Sequence, residues 1–364
     1  MSNAEKLEGV VLIPEPARKS LSERQLVAYK NTRKNLIDWL AYEGKDPDAL
    51  DGYSKDTYKV HASIICQFHR FVWDTEGSFT LDSTHDHANA FLRQRVRSDE
   101  YSDSYKHNIK LALKAYFRFK ENEWEPQISI SSASTVKKPK EYVTEEERKQ
   151  LREAVLEYGS VPAYAALSPE KRDEWKYELA RRFGKPVKQI SQKDWKKANG
   201  YKYPTIVYAS LDVGLRPVEV KRARVSWIDK DNPTISIPAH QSSKNEENWK
   251  VSIRDDTHEF LLRWIEERRL YEKYDGTDRL WLTRHGNPYS SSALTVLLDN
   301  LREIAGIERH LTWYAIRHST GTFMAHHEGL SAAQSQLRHK RSETTMKYDN
   351  VSLKRRRDAL DRMG

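Results

Sequence analysis

The sequence predicts a mainly α-helical protein with one small β-sheet, an α+β class, built as a small helical N-terminal domain followed by a larger second domain. Three observations predict it. Apolar residues recur at helical spacing behind Ser and Thr caps along most of the chain. One pair of short runs, Thr234–Ile237 and Lys250–Ile253, alternates with the period of strands around a polar turn. Between the two parts lies Pro126–Pro139, a small, polar stretch bounded by prolines, which reads as a linker.

The elements follow in order. Leu21 to Leu40 opens with a capping box, Ser22 and Gln25, and sets Leu26, Tyr29, Leu36, Ile37 and Leu40 on one face. Ser54 caps a second helix through Ile64, Phe68, Phe71 and Val72; Phe91 and Leu92 belong to a third, and Ser102 to Phe119 makes a fourth. Beyond the linker, Thr144 and Glu147 form another capping box for a helix that ends at Gly159. A helix follows Pro217, then the hairpin, and the chain from His258 onward is again mostly helical. No internal repeat is present.

The 364 residues carry a formal charge of +9, with only +2 on residues 1–140 and +7 on residues 141–364. Much of the excess lies in 170–202, where 11 Lys/Arg face 5 Asp/Glu and Trp175, Tyr177, Phe183, Trp195 and Tyr201 are interleaved. A polyanionic partner explains this pattern, because each neutralised phosphate releases condensed counterions; a solvated helix face over ordinary core aromatics explains it equally well. Aromatic residues number 38, too many for a disordered chain. No apolar run approaches the ~20 residues of a membrane span, and the N-terminal stretch has no basic region leading into an apolar core. With Cys66 the single cysteine, an intramolecular disulfide and a cysteine-rich zinc site are excluded. The expected compartment is the cytoplasm or nucleoplasm.

Four places in the second part form an ordered set. In Gly214-Leu215-Arg216-Pro217-Val218-Glu219 a glycine turn enters a helix, with proline at its first position. Arg216 thus lies near a helix N-terminus, where backbone N–H groups and a guanidinium can share a phosphate, and Glu219 is placed to hold it. Lys244 occupies the hairpin tip; it is either a solvated turn lysine or an ammonium that protonates a leaving oxygen. Tyr314-Ala315-Ile316-Arg317-His318 comes third, and Leu337-Arg338-His339 fourth, with Tyr348 nine residues after His339. This is the inventory for metal-free phosphoryl transfer to a tyrosine: cations to neutralise a pentacoordinate phosphate, a phenolic nucleophile and a general acid. A phenol ionises near pH 10, so neighbouring cations are required to favour the phenolate.

The order Gly-Leu-Arg-x-x-Glu, hairpin Lys, x-x-x-Arg-His, His and then Tyr resembles the tyrosine recombinase (phage integrase) family, over Thr205 to about Val351. The resemblance implies a core-binding, SAM-like DNA-binding domain at 21–125 after a tail at 1–20. It places the linker at 126–140, a tyrosine-recombinase catalytic domain at 141–351 and a C-terminal tail at 352–364. It also implies a chemistry. Tyr348 attacks the scissile phosphate, forming a 3′-phosphotyrosyl link and releasing a 5′-hydroxyl. Arg216, Arg317 and His339 stabilise the transition state, Lys244 protonates the leaving oxygen and Glu219 orients Arg216. The implied partners are double-stranded DNA at paired attachment sites and three further copies in a homotetramer, without cofactor, metal or membrane, in the host cytoplasm on the nucleoid. The tail Ser352–Gly364 either docks on a neighbouring protomer or is a frayed basic end.

Three departures matter. The family usually has His-x-x-Arg, whereas Tyr314 stands in the His position, as in some integrases of archaeal plasmids and viruses; a neutral phenol is a poor base near pH 7. His310 and His318 are candidates to cover that role, with His318 also readable as structural. Arg338 stands where glycine is common, either as a phosphate contact or as a tolerated change. The basic segment 170–202 is extra length and reads as a DNA-contacting elaboration through Arg181, Arg182, Lys188, Lys193, Lys196 and Lys197, against the alternative of a packing insertion. His85-Asp86-His87 and His326-His327 do not share a helix face in a way that suits a metal. Two other functions share parts of this inventory: a type IB-like DNA topoisomerase, and a non-catalytic DNA-binding accessory protein that keeps the fold.

Overall fold

A computed structural model describes residues 5–128, 141–242 and 247–346, together with Tyr348, Arg357, Asp361 and Met363. The chain divides into two compact units, Met1–Lys138 and Pro139–Gly364.

The first unit begins with an antiparallel pair, β1 (Lys6–Leu7) and β2 (Val10–Val11), and a one-turn helix, α1 (Glu15–Arg18). Four helices carry its core: α2 (Glu23–Tyr42), α3 (Lys55–Glu76), α4 (His85–Arg97) and α5 (Asp103–Phe119). Their starts follow the expected caps. The Ser22 backbone N–H donates to Gln25 Oε1 at 2.8 Å, and Ser102 Oγ accepts from the Tyr105 N–H at 3.3 Å. Leu36, Ile65, Phe68, Phe91 and Phe117 are buried, and Phe68 meets Phe91 and Tyr116 edge to face. Cys66 is buried as well.

Residues 5–20 are not the tail that the sequence suggests. Arg33 of α2 is 1% exposed and donates to the carbonyls of Leu12 (2.7 Å), Ala62 (2.9 Å) and Val11 (3.3 Å). A buried guanidinium with three carbonyl acceptors ties that segment to α2 and α3 and seats Val10 and Leu12 in the core. Most of the expected linker, 129–140, lies outside the described residues.

The second unit opens with α6 (Glu145–Glu157), whose capping box pairs the Glu147 N–H with Thr144 Oγ1 at 3.2 Å and the Thr144 N–H with Glu147 Oε2 at 2.8 Å. It continues through α7 (Pro169–Phe183), α8 (Gln192–Lys197), the apolar α9 (Lys202–Val213) and the short α10 (Pro217–Arg222). Strands β3 (Thr234–Ile237) and β4 (Trp249–Ser252) pair antiparallel, Thr234 opposite Ser252 and Ile237 opposite Trp249. Then come α11 (Asp255–Arg268), α12 (Ser291–Ala305), α13 (Trp313–Glu328), α14 (Leu330–Leu337) and α15 (Glu343–Met346). Helix α9 runs through the core beside Leu151, Trp264, Leu297 and Ile316, so its C-terminal end brings Gly214 and Arg216 to a fixed place. Among the described residues, no helix is long and apolar enough to cross a membrane, and no cluster of His, Cys, Asp and Glu is arranged to hold a metal ion.

Candidate active site

Helix α9 ends at Gly214, whose φ of +62° is left-handed and whose missing Cβ leaves room for Leu337, 2.7 Å from where that atom would sit. The chain reverses there into α10. Arg216 is its N-cap residue, and the Arg216 backbone N–H and Nη1 donate to the two oxygens of Glu219 at 2.8 Å each. Glu219 is fully buried. Glu219 thus holds both the backbone N–H and the guanidinium of Arg216.

Arg338 provides what the sequence did not show. It caps the C-terminus of α14 at φ 58°, a left-handed position that favours glycine. Its side chain is wholly buried and donates from Nη2 to Glu219 Oε2 at 2.8 Å and from Nη1 to the Val213 and Gln336 carbonyls at 2.9 Å each. It is a second partner for the same carboxylate, whereas the sequence offered a phosphate contact or a tolerated change. Burial alone would raise the Glu219 pKa, but the guanidiniums of Arg338, Arg216 and Arg317 outweigh it and hold the carboxyl below its ordinary range.

Arg317, on α13, is 3% exposed. It donates from Nη1 to the Gly214 carbonyl at 2.5 Å and from Nη2 to the Leu337 carbonyl at 2.6 Å and to His339 Nε2 at 3.1 Å. A guanidinium cannot accept, so His339 Nε2 is the acceptor and the ring proton sits on Nδ1, which faces Thr345 Oγ1 at 2.9 Å. Burial, with Arg216 and Arg338 nearby, pushes the Arg317 pKa down.

Tyr348 completes the cluster. It is 7% exposed, and its ring lies parallel to His339 with centroids 6.1 Å apart. It rests against Gly321 of α13: a Cβ there would fall 2.7 Å from Tyr348 Cζ and 2.6 Å from Leu337 Cδ1. Tyr348 Oη lies 3.0 Å from His318 Nδ1. Burial pushes the phenol up to about 12, against the pull of Arg317 and Arg216. Among the described residues, the three guanidiniums and one carboxylate of this cluster sum to two positive charges. That matches a phosphodiester attacked by a phenolate, which carries two negative charges at the pentacoordinate stage.

Arg216, Glu219, Arg317, His339 and Tyr348 are therefore brought together. Tyr314 is not: it is 50% exposed on the first turn of α13, and among the described residues no hydrogen bond joins it to the cluster. Lys244 lies in 243–246, outside the described residues; beside it, Arg222 Nη1 donates to the Ser242 carbonyl at 2.9 Å. Sequence reasoning missed the roles of Arg338, Thr345 and Gly321. A glycine inside an otherwise helical run was the available signal for the last.

The basic segment is a packed insertion with an exposed rim. Trp175, Leu179 and Trp195 are buried with Val161 and Ala198 in a small core, and Trp195 Nε1 donates to the Pro162 carbonyl at 2.8 Å. Arg182 departs from its expected place as a DNA contact, because its side chain is 8% exposed and bonded to Glu178 (2.8 Å) and Glu267 (2.7 Å). Arg181 likewise pairs with Glu178 and Glu266. Lys188, Lys193, Lys196 and Lys197 are exposed.

Residues 184–355 match the phage integrase family. Among curated proteins, "Tyrosine recombinase XerD" of Staphylococcus aureus is 27% identical over 161 residues, 44% of this chain and 53% of the relative. The XerD of Staphylococcus saprophyticus is 27% identical over 158 residues, 43% of this chain and 52% of the relative. The chain thus spans about half the length of the curated relatives it matches. In fold it resembles the XerH site-specific recombinase bound to palindromic difH substrate, with a TM-score of 0.58 at 17% identity over 93% of this chain and 88% of the other. It also resembles the Tn1549 transposon integrase in complex with transposon right end DNA, with a TM-score of 0.56 at 15% identity over 90% and 99%.

Proposed function

We propose that this chain, a member of the tyrosine recombinase (phage integrase) family, is a site-specific DNA recombinase that cleaves and rejoins double-stranded DNA through a 3′-phosphotyrosyl link at Tyr348. The observation that carries this reading is one buried, positively charged cluster of side chains assembled from distant stretches, with Arg216, Arg317, His339 and Tyr348 in it.

Tyr348 is the nucleophile, and Arg216 and Arg317 neutralise the non-bridging oxygens as charge develops. Glu219 holds Arg216 at a fixed angle, and the Arg317–His339 contact orients the imidazole. Lys244 supplies the proton to the departing 5′-oxygen. The phosphotyrosyl bond conserves the energy of the diester, so a 5′-hydroxyl from a partner strand reverses the step without nucleotide or metal. Lys188, Lys193, Lys196 and Lys197 contact the DNA backbone from the insertion rim.

The finer reading is a homotetramer on paired attachment sites that exchanges strands through a Holliday junction. It serves integration or excision of a viral or plasmid element of archaeal type, in the host cytoplasm on the nucleoid. Tyr314 in place of the common histidine supports the archaeal assignment. Covalent trapping tests the function: fragmented DNA from the chain's own replicon and host is incubated with it in EDTA, quenched in SDS, and the attached DNA is sequenced. Adducts enriched at one or two loci are expected. Adducts scattered over all sequences, or none with binding intact, would contradict it.

A further inference from the structure

Attack by Tyr348 requires a group that receives the phenolic proton. The family's usual histidine is Tyr314 here, which is half exposed and is itself a phenol. Arginine cannot accept a proton, and the Nε2 lone pair of His339 is directed at Arg317, 3.1 Å away.

His318 is placed differently. Its Nδ1 lies 3.0 Å from Tyr348 Oη, within reach of direct proton transfer. The contact is built in: His318 and Gly321 are one turn apart on α13, and the missing Cβ of Gly321 lets the phenol ring lie against that helix. The rings of His318 and Tyr348 are tilted, with centroids 5.9 Å apart at 51°, so the two are not stacked.

We propose that His318 is the general base of the cleavage step and the general acid of rejoining, an assignment that rests on the recombinase reading above. In cleavage the Tyr348 O–H bond breaks and its proton moves to His318 Nδ1. The freed oxygen pair forms the bond to phosphorus, and the bond from phosphorus to the 5′-oxygen breaks, that oxygen taking the proton assigned above to Lys244. In rejoining the 5′-hydroxyl returns its proton to the Lys244 amine as it attacks phosphorus, the bond from phosphorus to Tyr348 breaks, and the proton returns to the phenolate from His318. Among the described residues, the charged groups of this cluster include Arg317 on the same helix and Arg216 from α10, which act on Tyr348 directly, and Glu219, Arg338 and His339, which contact those arginines or one another. Any apparent pKa read from the rate therefore belongs to the cluster.

The test uses the full chain and nicked duplexes of the DNA recovered by trapping, and measures single-turnover adduct formation from about pH 5 to 9. The wild-type rate should rise with pH and level off once the imidazole is neutral. His318→Asn keeps an acceptor near the Nδ1 position but no base. It should bind DNA and melt as the wild type does, cleave about 10²–10⁴-fold more slowly, and show no levelling. Difluorotyrosine at position 348, a more acidic phenol, should shrink the His318→Asn defect. In the wild-type background it should flatten the rise with pH, a readout that stands even if the His318→Asn chain does not fold. His318→Asn cleaving at the wild-type rate with the wild-type profile would overturn the assignment and leave the recombinase reading standing, as would an unaltered profile with the fluorinated phenol. A wild type as inactive as Tyr348→Phe on the same DNA would overturn both.

Discussion

Around Tyr348, three arginines lie inside or nearly inside the protein, and two of them, Arg216 and Arg338, pair with one carboxylate, Glu219. In the insertion formed by α7 and α8, four lysines stand in solvent over a core of two tryptophans. Both regions read as basic and aromatic in the sequence, and they use those residues in opposite ways. Around Tyr348 the charges are desolvated and held by Glu219 and by backbone carbonyls, and the tyrosine packed among them is the proposed nucleophile. In the insertion Trp175 and Trp195 are structural, and Arg181 and Arg182 are paired with Glu178, Glu266 and Glu267. Charge density in a sequence therefore locates neither site by itself; burial and pairing separate a preorganised anion hole from an electrostatic rim.

The contrast is sharpest at Glu219. Removing one partner from a buried ion cluster typically costs about 3–5 kcal/mol, because the remaining charges stay desolvated and uncompensated. Glu219→Gln should cost about that much in denaturant unfolding. Its carboxyl is held below the ordinary range, so its contribution is fully present above the unfolded value of about 4.3 and is lost as pH falls through the lower folded value. Glu219→Gln should therefore flatten the acid limb of the stability curve, and an unchanged acid limb would contradict the cluster.

A smaller effect on the fold, but a large one on chemistry, is expected at Gly321. Alanine there has good helix propensity, yet its Cβ would fall 2.6–2.8 Å from Leu337 and Tyr348. Displacing the phenol by about 1 Å should lower adduct formation about 10²-fold. DNA binding, measured by fluorescence anisotropy, should stay unchanged.

The insertion rim should respond least in stability and only through salt. Neutralising Lys188, Lys193, Lys196 and Lys197 together should shift unfolding by no more than about 0.5 kcal/mol per site. The dependence of log K on log salt should flatten by up to about 0.9 for each phosphate that the rim no longer neutralises. An unchanged slope would make the insertion purely a packing element.

Much of this was legible beforehand for physical reasons. Caps at Ser22, Ser102 and Thr144 are local signals, and the structure uses them where the sequence puts them. The hairpin follows from strict alternation. Arg216, Glu219, Arg317, His339 and Tyr348 were readable because their order and spacing survive over more than a hundred residues. The remainder depends on tertiary contact. Strands β1 and β2 are two residues each, too short for any period, and are held by Arg33, which a helical pattern marks only as polar. Arg338 read as a phosphate contact or a tolerated change because nothing local announces a left-handed, buried arginine paired with a residue far upstream. His318 was one of two candidate bases in the sequence, with His310, and was also readable as structural; only its contact with Tyr348, 30 residues on, singles it out.

The most direct test of the central claim is to find the atom that carries the DNA. The trapped adduct is digested with nuclease and trypsin, and the peptide that retains a nucleotide is identified by mass spectrometry. Cleavage after Lys347 and Lys354 leaves Tyr348 at the head of a short peptide, and the nucleotide is predicted on that tyrosine through its 3′-phosphate. A nucleotide on any other residue, or an adduct that persists in Tyr348→Phe, would contradict the account.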